Sequence, residues 1–300
     1  MSACLVCGSE RVRILYPSTV TGAVTGSSSY YVPTYSLARL HREISRCESC
    51  GFVFVSDPLP ESELSRAYAD MEDPLYLEEA AAYRAAADWI LARLDPFRTG
   101  PSRLLEVGCG AGFFLERARA RGWDARGIEL SRWMVERARE RVPAEVVGQG
   151  SYESGHFREI AFDALVAVDV IEHVPNPAHF LADAGSRLKP GGIAYLVTPD
   201  MGSFVARALG ERWWYIQVPH LSYFDRASLG RLAERCGLCI VWRGGYPRFV
   251  TAQTARDRLG FFPPLVRRAA GMLLRPWFAL NGSLRVDLGD QLAMLCRKVA

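Results

Sequence analysis

A glycine-rich turn between an apolar run and a helical stretch constrains this 300-residue chain more than any other feature. Leu104 to Val107 is short and mainly apolar, which is typical of a strand in a buried parallel sheet. Gly108, Gly110 and Gly112 follow in alternation, and Phe113 begins a stretch with helical periodicity. Glycines at such a turn permit tight backbone geometry and let a ligand lie directly against the backbone. The pattern predicts a strand–turn–helix unit with a ligand site at the turn.

A carboxylate after the next apolar run indicates the kind of ligand. Ala125 to Ile128 predicts a second strand, and Glu129 lies at its end. An acidic residue there is placed to bind the two hydroxyls of a ribose. The dinucleotide pattern G-x-G-x-x-G/A would need a small residue where Phe113 stands, so NAD and FAD are disfavoured. A turn that serves packing alone is the alternative, but the acid and the glycines occur together at the expected spacing.

Several segments resemble the class I S-adenosylmethionine-dependent methyltransferases. The run from Glu106 to Gly112, E-x-G-x-G-x-G, resembles motif I of that family. Phe162 to Val174 resembles its fourth strand and the D-V-I-E-H-V sequence that follows, and Leu188 to Gly192 resembles its L-K-P-G-G turn. The resemblance covers residues 100 to 300 and implies an α/β fold with a doubly wound, seven-stranded, mostly parallel sheet. With its early cysteines and late Pro219 to Phe224 segment, the chain is similar to the ubiquinone-pathway O-methyltransferase and sugar C-methyltransferase type.

The resemblance implies roles for residues at the carboxyl ends of several strands. Gly108 to Gly112 would face the methionine half of S-adenosylmethionine, Glu129 its ribose, and Asp169 its ammonium group. Many relatives place an acid after the third strand for the adenine amino group. No acid stands there in this chain, so backbone groups or a side chain of Gln149 to Tyr152 take that role. The predicted cofactor-binding residues are Glu106, Gly108, Gly110, Gly112, Glu129, Ser151 and Asp169.

Two histidines are candidate general bases for the proton that leaves an acceptor. His220 lies after the fifth predicted strand, beside aromatic residues, in the region where this family builds its acceptor lid. His173 follows Glu172 on the loop that leaves the fourth strand, beside the cofactor. Histidine titrates near neutral pH, which suits it to accept a proton. We favour His220 and keep His173 as the second candidate.

Two C-x-x-C-G knuckles, Cys4 with Cys7 and Cys47 with Cys50, indicate a metal site near the N-terminus. Four thiolates bind zinc tetrahedrally and leave no open position for a catalytic water, so we predict a structural zinc ribbon. Because no export signal is present in the sequence, we expect a reducing, cytoplasmic location, with disulfides as the alternative. A third pair is interpreted as core packing: Cys236 and Cys239.

The alternation of apolar runs and amphipathic stretches predicts the layout of the chain. Residues 1–58 are the zinc ribbon, 59–100 a helical linker or cap, and 101–300 the S-adenosylmethionine-binding domain with an insertion at 246–288. For the insertion we favour a helix packed on the sheet over an acceptor cover, a dimer face or a membrane contact. Predicted strands of the last domain are 103–107, 124–129, 144–148, 162–168, 192–198, 238–243 and 290–297, and predicted helices are 112–121, 131–141, 177–188, 202–210 and 225–236.

Composition and charge narrow the class of function. The chain has 49% hydrophobic and 23% charged residues, which is ordinary for a globular protein with a full core. Its net charge of +3 comes with scattered arginines, so we expect no nucleic-acid partner. The predicted function is methyl transfer to oxygen or carbon of a small metabolite or of a nucleotide- or lipid-linked sugar, with S-adenosylmethionine and structural zinc as cofactors. Membrane contact is not favoured, and a homodimer is possible. The alternative is a non-catalytic S-adenosylmethionine-binding protein that is regulatory or associated with nucleic acid.

Overall fold

The chain begins with a small antiparallel sheet. The computed structural model describes residues 3–20, 27–32, 40–251, 268, 272 and 283–299. Strands β1 (Val12–Tyr16), β2 (Ile44–Cys47) and β3 (Val53–Val55) pair in that order. The Cys47 knuckle forms the turn from β2 to β3, and Gly51 closes it with φ +79°, a conformation that favours glycine.

Three helices connect this sheet to the rest of the protein: α1 (Glu61–Ala69), α2 (Pro74–Glu78) and α3 (Ala80–Leu94). The sequence predicts one helix from Tyr76 to Leu94, but the structure divides it between α2 and α3. The side chain of Asp73 accepts a hydrogen bond from the Tyr76 amide and so caps the start of α2.

The larger part of the protein is a seven-stranded, mostly parallel sheet, as predicted. Its strand order is β10-β13-β8-β7-β4-β5-β6, and β13 runs antiparallel to both of its neighbours. The alternation of strands and helices therefore produces the expected doubly wound fold. In chain order the elements are β4 (Arg103–Val107), α4 (Phe113–Ala120), β5 (Asp124–Glu129), α5 (Arg132–Arg139), β6 (Val147–Gln149), β7 (Phe162–Val168), α6 (Pro177–Arg187), β8 (Leu188–Pro199), α7 (Phe204–Leu209), β9 (Ser222–Tyr223), α8 (Arg226–Arg235), β10 (Leu238–Gly245), β11 (Arg248–Thr251), β12 (Ser283–Val286) and β13. Strand β13 spans Gln291–Lys298.

The sheet is covered on both faces, and alternate residues of one strand enter different cores. On β4, Leu104 packs with the apolar face of α3 and with Trp123, whereas Leu105 packs with residues of α6 and α8 such as Phe180 and Leu229. This period of two, buried on both sides, explains why the strand shows no polar alternation in the sequence.

Some predicted boundaries differ from the structure. Strand β8 begins at Leu188 rather than at residue 192, so the Lys189–Gly192 turn lies inside the strand. The segment predicted as a strand from residue 144 begins with a 3-10 turn. Cys239 is exposed on β10, at the edge of the sheet, so its interpretation as a core residue is wrong, while Cys236 is half-buried against the core.

The N-terminal sheet is continued by a strand from the part of the chain that forms the large sheet. Strand β9 pairs antiparallel with β3, with Val53 opposite Tyr223 and Phe54 opposite Ser222. The boundary at residue 58 therefore stays a prediction about folding units. Most of the 246–288 insertion, including its predicted helix, lies outside the described residues, apart from the pairing of β11 with β12. Within the described part of the chain, no helix is long and apolar enough to span a membrane.

Candidate active site

Neighbouring side chains lie close against the glycine turn after β4. Gly108, Gly110 and Gly112 have φ values of +74°, +50° and +81°. A Cβ on Gly110 would lie 2.6 Å from Tyr76 Oη, and one on Gly108 would lie 2.7 Å from a methyl carbon of Val170. Both the backbone conformation and the close contacts therefore exclude a side chain at these positions.

Glu129 lies at the end of β5, next to this turn. Its carboxylate accepts hydrogen bonds from the Gly110 amide at 2.9 Å and from the Ser131 amide at 2.8 Å. Burial raises the pKa of Glu129, and these backbone hydrogen bonds act in the opposite direction. The acid and the glycine turn form one unit, as the sequence predicts.

Above the turn lies a residue that the sequence analysis missed. Tyr76, on α2, stacks on Tyr83 with ring centroids 4.0 Å apart and on Phe113 at 6.0 Å. Its hydroxyl points toward Gly110, and burial together with nearby Glu106 raises its pKa well above the usual range. Tyrosines seven residues apart share one face of a helical stretch, but that spacing alone does not distinguish a ligand site from packing.

Glu106 and Asp169 occupy the ends of β4 and β7, where the strand order reverses. Glu106 is buried, and its Oε2 has no hydrogen-bond partner among the described residues. Asp169 has φ +51°, a conformation that is uncommon outside glycine and is often found at functional sites. Gln291 donates to Asp169 Oδ1 at 3.0 Å, and burial raises the pKa of Asp169 to about 6 although Arg248 lowers it.

Glu172 is a second residue missed as a candidate. It is 1% exposed, Thr198 donates to its Oε2 at 2.9 Å, and its Oε1 has no partner within the described ranges. Burial and the neighbouring Asp169 raise the pKa of Glu172 well above its usual range. The E-H pair in the sequence signals this residue, but only the fold shows that its carboxyl turns inward.

The two candidate histidines, separated by 47 positions in the sequence, are neighbours. The ring centroids of His173 and His220 are 4.7 Å apart. Atoms of Glu172 and both imidazoles lie within 4.8 Å of one another, a donor set that can exchange a proton or hold a cation. Burial lowers the pKa of His173 to about 4, and burial and then His173 lower that of His220 well below its usual range. Both rings are therefore neutral at neutral pH.

Hydrogen bonds distinguish the two imidazoles. His173 Nδ1 lies 2.9 Å from the carbonyl of Pro219, which can only accept, and 2.7 Å from the hydroxyl of Tyr68, which can donate or accept, so this nitrogen is paired in either tautomer. His220 Nε2 lies 2.9 Å from the amide of Gln217, and His220 Nδ1 is buried without a partner in the described part of the chain. Since an amide offers both a donor and an acceptor, Gln217 can pair with either tautomer of His220.

Ser151 lies in the turn after β6, at the same edge of the sheet. The preceding Gly150 donates from its amide to the Glu129 carbonyl at 2.8 Å. The Ser151 hydroxyl accepts from the Glu153 amide at 3.2 Å, so it serves the turn itself here. Its predicted contact with the adenine stays a prediction.

The four knuckle cysteines also lie together. The Sγ atoms of Cys4 and Cys50 are 3.5 Å apart, and those of Cys7 and Cys47 are 3.6 Å apart. All four lie within 4.8 Å of one another. Zinc–sulfur bonds of about 2.3 Å in a tetrahedron place sulfurs about 3.8 Å apart, so the donor set fits one zinc ion.

The parallel sheet with its final antiparallel strand, and the glycine turn bonded to the acid at the end of β5, are the arrangement of the class I S-adenosylmethionine-dependent methyltransferases. The sequence profile described as "Methyltransferase domain" matches residues 76–241, and the chain belongs to that family. This match begins after the cysteine knuckles.

Known proteins agree with this assignment. The ubiquinone biosynthesis O-methyltransferase of Thiobacillus denitrificans is 29% identical over 150 residues, 45% of this chain and 64% of that protein. The protein of the same name from Dechloromonas aromatica is 33% identical over 164 residues, 50% of this chain and 69% of that protein. The chain thus spans about two thirds of the length of these relatives. A solved S-adenosylmethionine-dependent methyltransferase from Archaeoglobus fulgidus has a TM-score of 0.50 at 19% identity, covering 75% of this chain and 100% of that one, which shows the shared fold.

Proposed function

We propose that this protein methylates a hydroxyl oxygen of a small acceptor and that His220 takes the proton from that oxygen. The observation that carries the proposal is the buried Nδ1 of His220, which has no hydrogen-bond partner among the described residues and lies next to His173 and Glu172. The name of the relatives, ubiquinone biosynthesis O-methyltransferase, supports oxygen rather than carbon as the methylated atom. A phenol or enol hydroxyl and a sugar hydroxyl are the acceptor classes to compare.

The residues at the sheet edge fit S-adenosylmethionine. When bound, this cofactor supplies a methyl group on positively charged sulfur. A nucleophilic oxygen attacks the methyl carbon in line with the carbon–sulfur bond, and the sulfur leaves. The glycine turn, packed under Tyr76 and Val170, would bind the methionine half through its backbone, and Glu129 offers a carboxylate to the ribose hydroxyls. Asp169 offers a carboxylate to the ammonium group, and Gln291 orients it. The buried, unpartnered oxygen of Glu106 marks a further polar position at this edge.

The histidines handle the proton. A base needs a free lone pair at the pH of the reaction, and burial keeps both rings neutral. Because His173 Nδ1 is already in contact with the Pro219 carbonyl and the Tyr68 hydroxyl, His173 is held in place beside His220. When Gln217 turns its carbonyl toward His220 Nε2, the Nδ1 lone pair faces the site and accepts the acceptor's proton.

We also propose that Cys4, Cys7, Cys47 and Cys50 hold one structural zinc ion. The distances between their sulfurs support this, and so do the backbone amides of the knuckles. Burial by itself raises the pKa of the Cys47 thiol, but hydrogen bonds from the backbone of Cys50 and Ser49 outweigh it and lower the pKa to about 7. The thiolate of Cys47, the form that binds zinc, is thus favoured, whereas burial raises the pKa of the Cys4 and Cys50 thiols.

Turnover of His220→Ala tests the proposed function. Methyl-labelled S-adenosylmethionine is offered with catechols, other phenols and sugar nucleotides, and products are detected by mass spectrometry. With an acceptor that the wild type methylates, we expect His220→Ala to lower kcat on the order of 10²-fold while S-adenosylhomocysteine binds with nearly unchanged affinity. The matched control is His179→Ala, a partly exposed histidine paired with Glu153, which should retain wild-type kcat.

Two results would contradict the assignment. If His173→Ala is inactive and His220→Ala turns over normally, the base is His173. If both variants keep wild-type kcat, the acceptor needs no base from these residues. Binding of the labelled cofactor with no product from any acceptor class would instead favour a non-catalytic protein.

A further inference from the structure

The metal-binding knuckles and the segment that carries His220 belong to one continuous sheet. Strand β3 follows the Cys47 knuckle directly and pairs with β9, two residues after His220. The pairing extends beyond β9, since the Val55 amide donates to the Leu221 carbonyl at 2.9 Å. The backbone of residues 219–223, called here the histidine segment, is therefore held on one side by the N-terminal sheet.

The other side of the histidine segment contacts the loop after β7. The amides of Leu221 and Ser222 both donate to the Glu172 carbonyl, at 2.8 and 3.1 Å. The Pro219 carbonyl lies 2.9 Å from His173 Nδ1. The histidine segment thus lies between the N-terminal sheet and the E-H pair, and the position of His220 depends on both.

The knuckles are also attached to the helix that follows the histidine segment. Arg231, on α8, donates to the carbonyl of Cys50 at 2.7 Å, and Arg235 donates to the carbonyl of Val6. Phe52, two residues after Cys50, packs on Phe224 with ring centroids 5.2 Å apart. Two carbonyls from different knuckles and one aromatic pair therefore connect the cysteine cluster to the residues that flank His220.

The glycine turn and Glu129, which form one part of the proposed cofactor site, have different supports. Glu129 is held by the amides of Gly110 and Ser131, and Gly110 is covered by Tyr76 from α2. These residues lie on or beside β4 and β5, on the far side of β7 from β8 and β13. A disturbance of the knuckles should therefore reach the histidine segment before it reaches the glycine turn.

We propose that the N-terminal ribbon is a positioning element of the acceptor site. The metal fixes the turn between β2 and β3, and β3 in turn holds the histidine segment and the ring of His220. The proposal rests on the proposed function only in its effect on turnover. Its structural part, the dependence of residues 219–223 on the metal, holds whichever residue is the base.

Metal removal from the full-length protein tests this directly. Zinc-loaded and chelator-treated protein are compared by hydrogen–deuterium exchange, by calorimetry with S-adenosylhomocysteine and by turnover. We expect exchange at the amides of Leu221 and Ser222 to rise tenfold or more, turnover to fall at least tenfold, and S-adenosylhomocysteine affinity to stay within twofold. Added zinc should reverse both the faster exchange and the loss of turnover. Unchanged exchange at residues 219–223 after complete metal loss would overturn the proposal, and so would an equal loss of cofactor affinity.

A variant that leaves the cysteines intact separates positioning from metal-dependent folding. Arg231→Met with Arg235→Met removes both donors from α8 to the knuckles, and Glu234→Gln on the same helix is the control. We expect the double variant to keep its metal and its S-adenosylhomocysteine affinity, to exchange faster at residues 219–223, and to lose kcat severalfold. Arg231→Lys, which keeps a donor, should recover part of that kcat. If the double variant has wild-type exchange and kcat, α8 does not couple the ribbon to His220 and this route is wrong. Should His220→Ala prove fully active while exchange still responds to metal, the proposed base fails and the structural coupling stands.

Discussion

Burial of His173 makes the stability of the protein depend on pH. Its pKa falls from 6.5 to about 4 because the ring is desolvated, whereas the same residue in the unfolded chain keeps its ordinary pKa. Between these two pH values His173 binds a proton in the unfolded chain but not in the folded protein. The contribution of His173 to the free energy of unfolding is therefore fully present above about pH 6.5 and is lost as the pH falls toward about 4. The shift corresponds to about 3 kcal/mol from this residue.

Urea unfolding at several pH values measures this contribution. We expect the free energy of unfolding of the wild type to fall between about pH 6.5 and 4.5 more steeply than that of His173→Gln. Equal slopes for the two proteins would show that His173 is accessible to solvent protons in the folded state.

The pKa of Asp169 predicts a pH dependence of cofactor binding. As the pH rises through the pKa of about 6, the Asp169 carboxyl loses its proton, and only the ionised form attracts an ammonium group. We expect the affinity for S-adenosylhomocysteine to weaken as the pH falls through about 6, and Asp169→Asn to bind more weakly above that pH with a flatter profile. Calorimetry with both proteins measures this, and parallel profiles would remove Asp169 from the ammonium site.

Single residues show what sequence can and cannot predict. Gly110 and Glu129 were predicted because they belong to one β–α–β unit, in which two strands consecutive in the chain lie side by side. Tyr76 and Glu172 were missed because their roles arise from contacts between distant segments. The proximity of His173 and His220 depends on the same long-range packing.

Among the elements, length decided which could be predicted. Strands such as β7 and β5 have clear apolar runs and were predicted with the bounds that the structure shows. Strand β9 has only two residues, too short for any period, and exists because β3 lies beside it. The sequence predicts a turn at Lys189–Gly192 ahead of a strand that starts at residue 192, but pairing of Phe162 with Leu188 extends β8 back through that turn.

The ribbon as an element should depend on metal. We expect one zinc per chain by elemental analysis. We expect Cys47→Ser to lose this zinc, to destabilise residues 1–58 and so to lower the melting temperature. The reason is that metal binding contributes the folding energy of so small a unit. Cys239→Ser, at an exposed cysteine, is the matched control and should keep the zinc and the wild-type melting temperature. Freshly purified wild type with free thiols and no metal would refute the zinc assignment.

For the whole molecule, the order of strands and helices was sufficient to predict the doubly wound sheet and the edge where the site lies. What the sequence did not contain was the joining of the first sheet to β9, which makes the ribbon and the acceptor side one structure. That joining depends on the antiparallel pairing of segments about 170 positions apart, for which no local pattern exists.

Calorimetry with S-adenosylhomocysteine tests the central claim, that the glycine turn and Glu129 form the cofactor site, most directly. We expect Gly110→Ala to weaken binding at least tenfold, about 1.4 kcal/mol, because its Cβ would lie 2.6 Å from Tyr76 Oη in a backbone conformation suited to glycine. Glu129→Ala should weaken binding by a similar factor through loss of a charge-assisted hydrogen bond to the ribose. Glu136→Ala, at an exposed acid on α5, should bind as the wild type does. Wild-type affinity in both Gly110→Ala and Glu129→Ala would contradict the account.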